Sequence, residues 1–377
     1  MAMFAKLWFL ACVALPLYAQ IQSEQIATHA RSAQEAQTRN DFPTAVREYQ
    51  YLVHLLPASA EMRSNLGIAL YFNHDLIQAI NVFRKATELN GKLVVPHLFT
   101  GLARYRLSDP DAAVPELETA VRLNPSDIIA HTWLGYAYGA QSRYEPALKE
   151  FQAAQKLDPG NIDVWYALGQ THLQIGKEAT YQLLTLAPDG GRAWQLAGEQ
   201  AQLKGDRQEA MNDFREALHR RPDLTELGQA IKDLGGSGSV ASQTSGARSN
   251  QEADLYRRAH EAEQEARSAF EHLVQIAPDS YRAHQIMADA FAAQQRNGEA
   301  IEEYRTVVKV KPDLPGIHEA VANCLLRLGK QPEALTEFEA ELQIQPRSAS
   351  AHTNVGQLLL TMGENERARA LLSKLSS

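Results

Sequence analysis

The chain has 377 residues, 45% of them hydrophobic and 7% aromatic, a composition that buries a core and excludes a disordered chain. Its 37 Lys and Arg face 45 Asp and Glu, a net charge of −8 without a long basic run, which excludes the electrostatic footprint of a nucleic-acid binder. Two cysteines, Cys12 and Cys324, are too few for a disulfide framework or a Cys-rich zinc site.

The N-terminus places Lys6 before an apolar run from Leu7 to Leu17 and a small residue at Ala19. This is the layout of a secretory signal, so residues 1–19 are expected to be removed, the mature chain to begin near Gln20, and the protein to be exported, periplasmic or secreted. The run is too short for a membrane span, which needs about 20 apolar residues, and no later segment approaches that length. Leu10-Ala11-Cys12 echoes a lipoprotein cleavage site. Phe9 stands where that motif wants Leu, and the apolar run continues past Cys12, so a lipid anchor at Cys12 is not expected.

From there prolines mark a period. Pro57, Pro125, Pro159, Pro188, Pro222, Pro278, Pro312 and Pro346, with Gly91 midway in the first gap, lie 34 residues apart except for intervals of 29 before Pro188 and 56 before Pro278. Each interval holds two apolar runs at helical spacing. The expected fold is all-α, an α-solenoid (superhelix) of antiparallel helix pairs with about nine or ten units. In one unit His131 to Tyr138 forms a first helix, Ser142 to Glu145 a turn, and Pro146 to Ala154 a second helix closed by Pro159. Gly135 and Ala147 allow close approach, Phe151 fills the space beside them, and Pro146 sits in a first turn, where its missing N–H costs nothing.

These units resemble tetratricopeptide (TPR) repeats. Trp165-Tyr-Ala-Leu168-Gly169 matches the family's opening, and its later small, aromatic, small and Pro positions recur as Ala79, Phe83 and Ala86, and as Ala210, Phe214, Ala217 and Pro222. The similarity runs from about residue 26 to the end. Three departures stand out: Ser32-Ala33 in the first unit, the short unit ending at Pro188, and Glu341 in place of a small inward residue.

The stretch 235–250 is Gly/Ser-rich and reads as a flexible linker between an N-terminal array, 20–234, and a C-terminal array, 251–377. Gln251 to Ile276 reads as one long charged helix. Leu186-Ala-Pro-Asp and Ile276-Ala-Pro-Asp, 90 residues apart, suggest a duplicated module.

Catalytic and cofactor motifs fail one by one. His260-Glu261 and His318-Glu319 begin like a zincin helix, but Gln264 and Ala322 stand where the second His is required. The Gly235–Ser239 run has neither the strand nor the last Gly of a nucleophile elbow, and the Gly-Lys pairs at 91, 176 and 329 lack the earlier Gly of a phosphate loop. His97, His131, His284, His318 and His352 share one column with Arg63, Trp165 and Trp194, which points to packing rather than to metal. No catalytic residue, cofactor or metal is expected.

The resemblance implies that first helices line a concave groove for a peptide or partner protein. The faces turned away from the Gly/Ala contacts offer Leu98, Phe99, Leu102 and Tyr105, then Ile129, Trp133 and Tyr136, then Tyr166, Gln170 and Leu173. Units after the linker offer polar residues there, among them Arg282, Gln285 and Asn354. Aromatic anchors dominate interface energetics, so the first half is the expected binding surface; packing of the same rings between helices is the competing reading. The family's clamp for a chaperone tail is excluded, because Ala30, Glu319, Val95 and Phe99 occupy its basic positions. The sequence therefore reads as an exported, non-catalytic protein-binding scaffold. The alternatives are an assembly factor of an envelope complex that uses no groove, and an accessory subunit of an enzyme.

Overall fold

The computed structural model describes residues 22–237, 248–346 and 348–373. The expected signal segment, with Cys12, lies outside the described residues, as does most of the expected linker. Nineteen helices and no strand occur among the described residues. The first is α1 (22–38), followed by α2 (Phe42–Leu55), α3 (Ala60–Phe72), α4 (Leu76–Leu89), α5 (Val94–Arg106), α6 (Pro110–Leu123), α7 (Ile128–Ala140) and α8 (Tyr144–Leu157). A 25-residue α9 (Ile162–Leu186) precedes α10 (Gly191–Leu203), α11 (Arg207–Arg220), α12 (Glu226–Asp233) and the 29-residue α13 (Arg248–Ile276). The chain ends with α14 (Tyr281–Ala293), α15 (Asn297–Val310), α16 (Ile317–Arg327), α17 (Gln331–Ile344), α18 (Ala349–Thr361) and α19 (Asn365–Ser373). The fold is an α-solenoid of antiparallel helix pairs, as the proline ladder requires.

Local chemistry sets the helix ends. Asp41, Ser59, Asp109, Asp127, Asp206 and Ser348 each accept a hydrogen bond from the backbone N–H three residues on, satisfying one of the donors that a helix start leaves open. The turns inside the pairs need one left-handed residue. Asn40, His74, Ser108, Ser142 and Gln295 take it at φ 58–64°, and Gly205, Gly329 and Gly363 take it at the matching place in other pairs.

Within a pair, the first helix offers a glycine and the second a large apolar side chain. A Cβ on Gly67 would lie 2.4 Å from the Phe83 ring, one on Gly135 2.6 Å from Phe151, and one on Gly198 2.5 Å from Phe214; at Gly101 the occupant is Leu117. Phe83, Phe151, Phe214 and Leu117 are all fully buried, so any side chain on these glycines must displace a core residue.

Contacts divide the chain into two compact units: one comprises residues through Arg143, Lys149–Pro159 and those from Met287 on, and the other Tyr144–Leu148 and Gly160–Ile286. This differs from the division read at the Gly/Ser stretch. In the second unit α9 does not turn back after 13 residues but continues, and its partner is α13. Gly169 on α9 holds the ring of Phe270 on α13, with a virtual Cβ at 2.4 Å, the same seat that Gly135 gives Phe151. The helices α10, α11 and α12 are therefore an insertion between the two halves of one repeat, and residues 248–250, assigned above to the linker, open α13. The insertion has its own core, Phe214, Leu218, Leu224, Leu227 and Ile231 with Trp194 beside them. The apparent shortness of the segment ending at Pro188 is thus the absence of a turn.

Glu341 is the other departure with a physical cause. It is fully buried, and its Oε1 accepts from the Gly316 N–H (2.8 Å) and Gln345 Nε2 (2.8 Å), while Oε2 faces the Glu319 N–H (3.4 Å). Helix α16 starts at Ile317 with Gly316 as its cap, which has no side chain to offer. The Glu341 carboxylate takes over that role from the second helix, where negative charge meets the positive end of the helix dipole.

Candidate functional site: aromatic faces on the first helices

The expected site residues do not share one fate. Leu98 and Leu102 are each 6% exposed and belong to the core, which corrects their assignment to an open groove. The cause is that α5 packs against α3, α4, α6 and α7, so most of its girth is covered. Phe99 is half-buried in a ring cluster, its centroid 5.2 Å from Tyr71, 6.0 Å from Phe72 and 6.1 Å from Phe83. Phe72, 44% exposed and stacked at 5.3 Å on Phe42, extends that cluster toward solvent and was not singled out from sequence; the Tyr71-Phe72 pair at the end of α3 was its only signal.

The second cluster centres on α7. Tyr105 meets Trp133 edge-on at 5.4 Å, Trp133 meets Tyr136 at 5.7 Å, and Tyr136 meets Phe151 at 5.2 Å. All three leading rings are half-buried, and burial pushes the Tyr105 phenol up from its ordinary value. Ile129, at 55% exposure, stands on the same helix four residues before Trp133, and nothing lies within 4 Å of where a Gly139 side chain would begin. Edge-to-face geometry suits aromatic quadrupoles and fixes the rings relative to one another. Beside them the Tyr138 hydroxyl donates to Glu118 (2.5 Å) under the Arg143 guanidinium; burial and the Glu118 carboxylate push that phenol up to about 12.

Tyr166, Gln170 and Leu173 lie in the second compact unit, where the first two belong to a polar lock. The Tyr166 hydroxyl accepts from Gln170 and from Gln285 (both 2.8 Å), and Arg282 stacks over its ring at 4.4 Å. Arg282, itself buried, donates to Asp163 (2.7 Å) and Gln285 (2.7 Å), and Tyr281 donates to Asp163. Tyr166 and Gln170, both half-buried, thereby hold internal partners. Leu173 is half-buried.

The histidine column is more polar than mere bulk. Each of His29, His97, His131 and His318 places Nδ1 2.5–2.7 Å from a glutamate 19 residues later, Glu48, Glu116, Glu150 and Glu337. His97 and His131 reach with Nε2 to the carbonyls of Gly91 (3.3 Å) and Pro125 (3.0 Å), and Arg63 donates to the Pro57 carbonyl (2.5 Å). The column therefore ties the two helices of a pair to each other and to the preceding turn. Among the described residues no cluster of three potential ligands could hold a metal ion.

A second polar site lies between α10 of the insertion and α13. Glu199 accepts from Tyr256 (2.5 Å) and Gln195 (3.0 Å) and lies 3.2 Å from His260 Nε2. Hydrogen bonding to Glu199 raises His260 against the opposing effect of burial. Burial pushes Glu199 up, but the bonds from His260 and Tyr256 outweigh it and the net shift is downward.

Residues 100–162 and 287–349 match the tetratricopeptide repeat family. Among solved structures, MamA from Desulfovibrio magneticus RS-1 is 20% identical, with 53% of this chain and 97% of that one covered and a TM-score of 0.38. YrrB, described as a TPR protein with an unusual peptide-binding site, is 22% identical over 53% and 88% with a TM-score of 0.34. TTC0263, a thermophilic TPR protein of Thermus thermophilus, is 16% identical over 71% and 100% with a TM-score of 0.39. No curated protein matches the chain. No helix among the described residues is long and apolar enough to cross a membrane.

Proposed function

We propose that the chain is an exported, non-catalytic scaffold whose tetratricopeptide repeats bind a segment of a partner protein on the face of α7 and its neighbours. The observation that carries this reading is the α7 cluster: Tyr105, Trp133 and Tyr136 meet edge to face, are half-buried, and share α7 and its neighbour with the exposed Ile129 and the open space at Gly139. Pre-fixed rings lose little rotamer freedom on binding, so apolar contact with them converts efficiently into affinity. Export rests on the layout of residues 1–19.

A library of 12-residue peptides screened against the mature chain tests the reading. Apolar peptides are the expected binders, losing at least about tenfold in affinity with Ile129→Asp or Trp133→Ala and nothing with Leu203→Asp, at an exposed position of the second unit. A screen without binders, or binders indifferent to Ile129, overturns it. A second reading, an envelope assembly factor that uses no groove, is favoured by the mutual contact of the same rings; under it Trp133→Ala lowers the melting temperature and no peptide protects α7 from hydrogen exchange. N-terminal sequencing decides export: a start near Gln20 is expected, and an acylated Cys12 overturns that part.

A further inference from the structure

Gly67 and Phe83, Gly101 and Leu117, Gly135 and Phe151, and Gly198 and Phe214 each stand 16 residues apart, the length of chain that runs along one helix, turns and brings the occupant back onto its seat. In α9 and α13 that length is missing. The two helices repeat each other at an offset of 90 residues: Tyr166 recurs as Tyr256, Gly169 as Ala259, Ala179 as Ala269, Leu183 as Leu273, and Leu186-Ala-Pro-Asp as Ile276-Ala-Pro-Asp. Phe270 stands 11 residues after Ala259, and its counterpart Thr180 stands 11 after Gly169, in each case five fewer than a regular pair uses. Neither helix has the chain for a turn. Each is a first and a second helix fused end to end, and each needs the other to cover it.

The contacts follow the duplication. Gly169 receives the Phe270 ring, and a side chain on Gly176 would begin 3.6 Å from the Ala262 Cβ and 3.8 Å from the Glu263 Cγ. The pair is therefore antiparallel, with the first half of each helix on the second half of the other. The next helices then close one lock twice. Arg282 stacks over Tyr166 at 4.4 Å and donates to Gln285 (2.7 Å), whose Nε2 donates to the Tyr166 hydroxyl (2.8 Å). Ninety residues earlier, Arg192 stacks over Tyr256 at 4.4 Å and donates to Gln195 (2.5 Å), whose Nε2 donates to the Tyr256 hydroxyl (2.6 Å). So α14 locks onto α9, and α10 locks onto α13. Contacts that recur with the two partners interchanged are those of an isologous dimer interface, built here within one chain.

We propose that this interface also takes a second copy of the chain: α9 and α10 of one copy pair with α13 and α14 of the other, and reciprocally, in an exchanged dimer. Every contact named above survives the exchange, because none of them uses residues 238–247, the stretch through which the two complements are connected. Loss of a turn is the change that opens this route, since helices that cannot fold back on themselves must find their partner elsewhere. Within one chain the complements meet at an effective concentration on the order of 1 mM, so exchange between copies grows as the protein approaches that concentration. The interface is separate from the aromatic face of α7, and either reading can fail alone.

The test is disulfide trapping in the full chain carrying Cys12→Ser and Cys324→Ala. A Gly176→Cys, Ala262→Cys double variant sets two Cβ atoms within the span of about 3.5–4.5 Å that a disulfide bridges, so it should close inside one chain when refolded dilute. Gly176→Cys chains and Ala262→Cys chains are then mixed in urea and refolded together. They should link into a species of twice the chain mass, with a yield at least about tenfold higher at about 500 μM than at about 5 μM. Either single variant refolded alone should give none of it. Absence of the linked species at both concentrations, or an equal yield from one variant alone, overturns the proposal, and so does a double variant that fails to close.

Discussion

The pair α7–α8 and the pair α9–α13 solve one packing problem with different chain connections. In the first, Gly135 and the Phe151 ring that covers it are 16 residues apart, joined through a turn at Ser142. In the second, Gly169 and Phe270 are 101 residues apart and no turn joins them, yet the ring sits in the same seat. A repeat is thus defined by which surfaces meet and not by sequence continuity. The Asp163–Arg282 bond, 119 residues in span, joins the start of α9 to the start of α14, the helix that follows the completed α9–α13 pair.

The sharpest way to break this comparison is to fill both glycines. Gly135→Leu and Gly169→Leu should each cost about 3 kcal/mol in urea unfolding, since both displace a buried ring. Gly169→Leu at wild-type stability would disprove the α9–α13 pairing. Next in size is Glu341→Ala, expected to cost about 2 kcal/mol by leaving the start of α16 uncapped, with Glu341→Gln keeping part of the loss at bay. An alanine variant as stable as the wild type would show that Glu341 only fills space.

A smaller effect separates the insertion from the regular pairs through pH. The folded-state value of His260 is raised above its ordinary 6.5, so its contribution is complete below that pH and is lost as pH rises through the raised value. Glu199 is lowered from its ordinary 4.5, so its contribution is present above that pH and fades as pH falls through the lowered value. Hydrogen exchange of α10 should therefore be slowest between about pH 4.5 and 6.5, after correction for intrinsic rates, and His260→Gln should flatten the upper limb. A profile unchanged by that variant would rule out the pair as its source.

The least effect on the remaining repeats is expected from the largest edit. Removing Glu178 through Ala262 would leave Ile175-Gly176-Lys177 before Glu263, a tripeptide close to the Leu328-Gly329-Lys330 that turns between α16 and α17. The shortened chain should unfold cooperatively as a regular array. A molten product, with exposed apolar surface and no sharp transition, would mean that the insertion is integral to the fold.

That tripeptide also explains what the sequence concealed. The proline ladder and the Gly–Phe pairs expose the helix-pair architecture because both act within one short stretch of chain. Ile175-Gly176-Lys177 can turn or continue, and the choice falls to tertiary contact: as part of α9, Gly176 lies against α13, its virtual Cβ 3.4 Å from the Ala259 carbonyl. The same reason hid the fate of Tyr166 and Gln170, whose lock partners Arg282 and Gln285 lie far along the chain. Leu98 and Leu102 looked like groove residues because the helical period alone does not count neighbours, and α5 has four. Trp133 and Tyr136 could be read together because they stand three residues apart on one helix, a separation that the helical period alone makes visible.

The separation of Gly169 from Phe270 also bears on synthesis. A chain emerging from the ribosome at roughly 5–20 residues per second completes the α7–α8 pair within seconds of making its first helix, whereas α9 waits for α13 while the whole insertion is made. During that interval the apolar stripe of α9, Ile175, Ala179 and Leu183 among it, has no partner, and α10–α12 can fold first on their own core. The insertion then serves as a folded bridge that shortens the loop to be closed when Phe270 arrives.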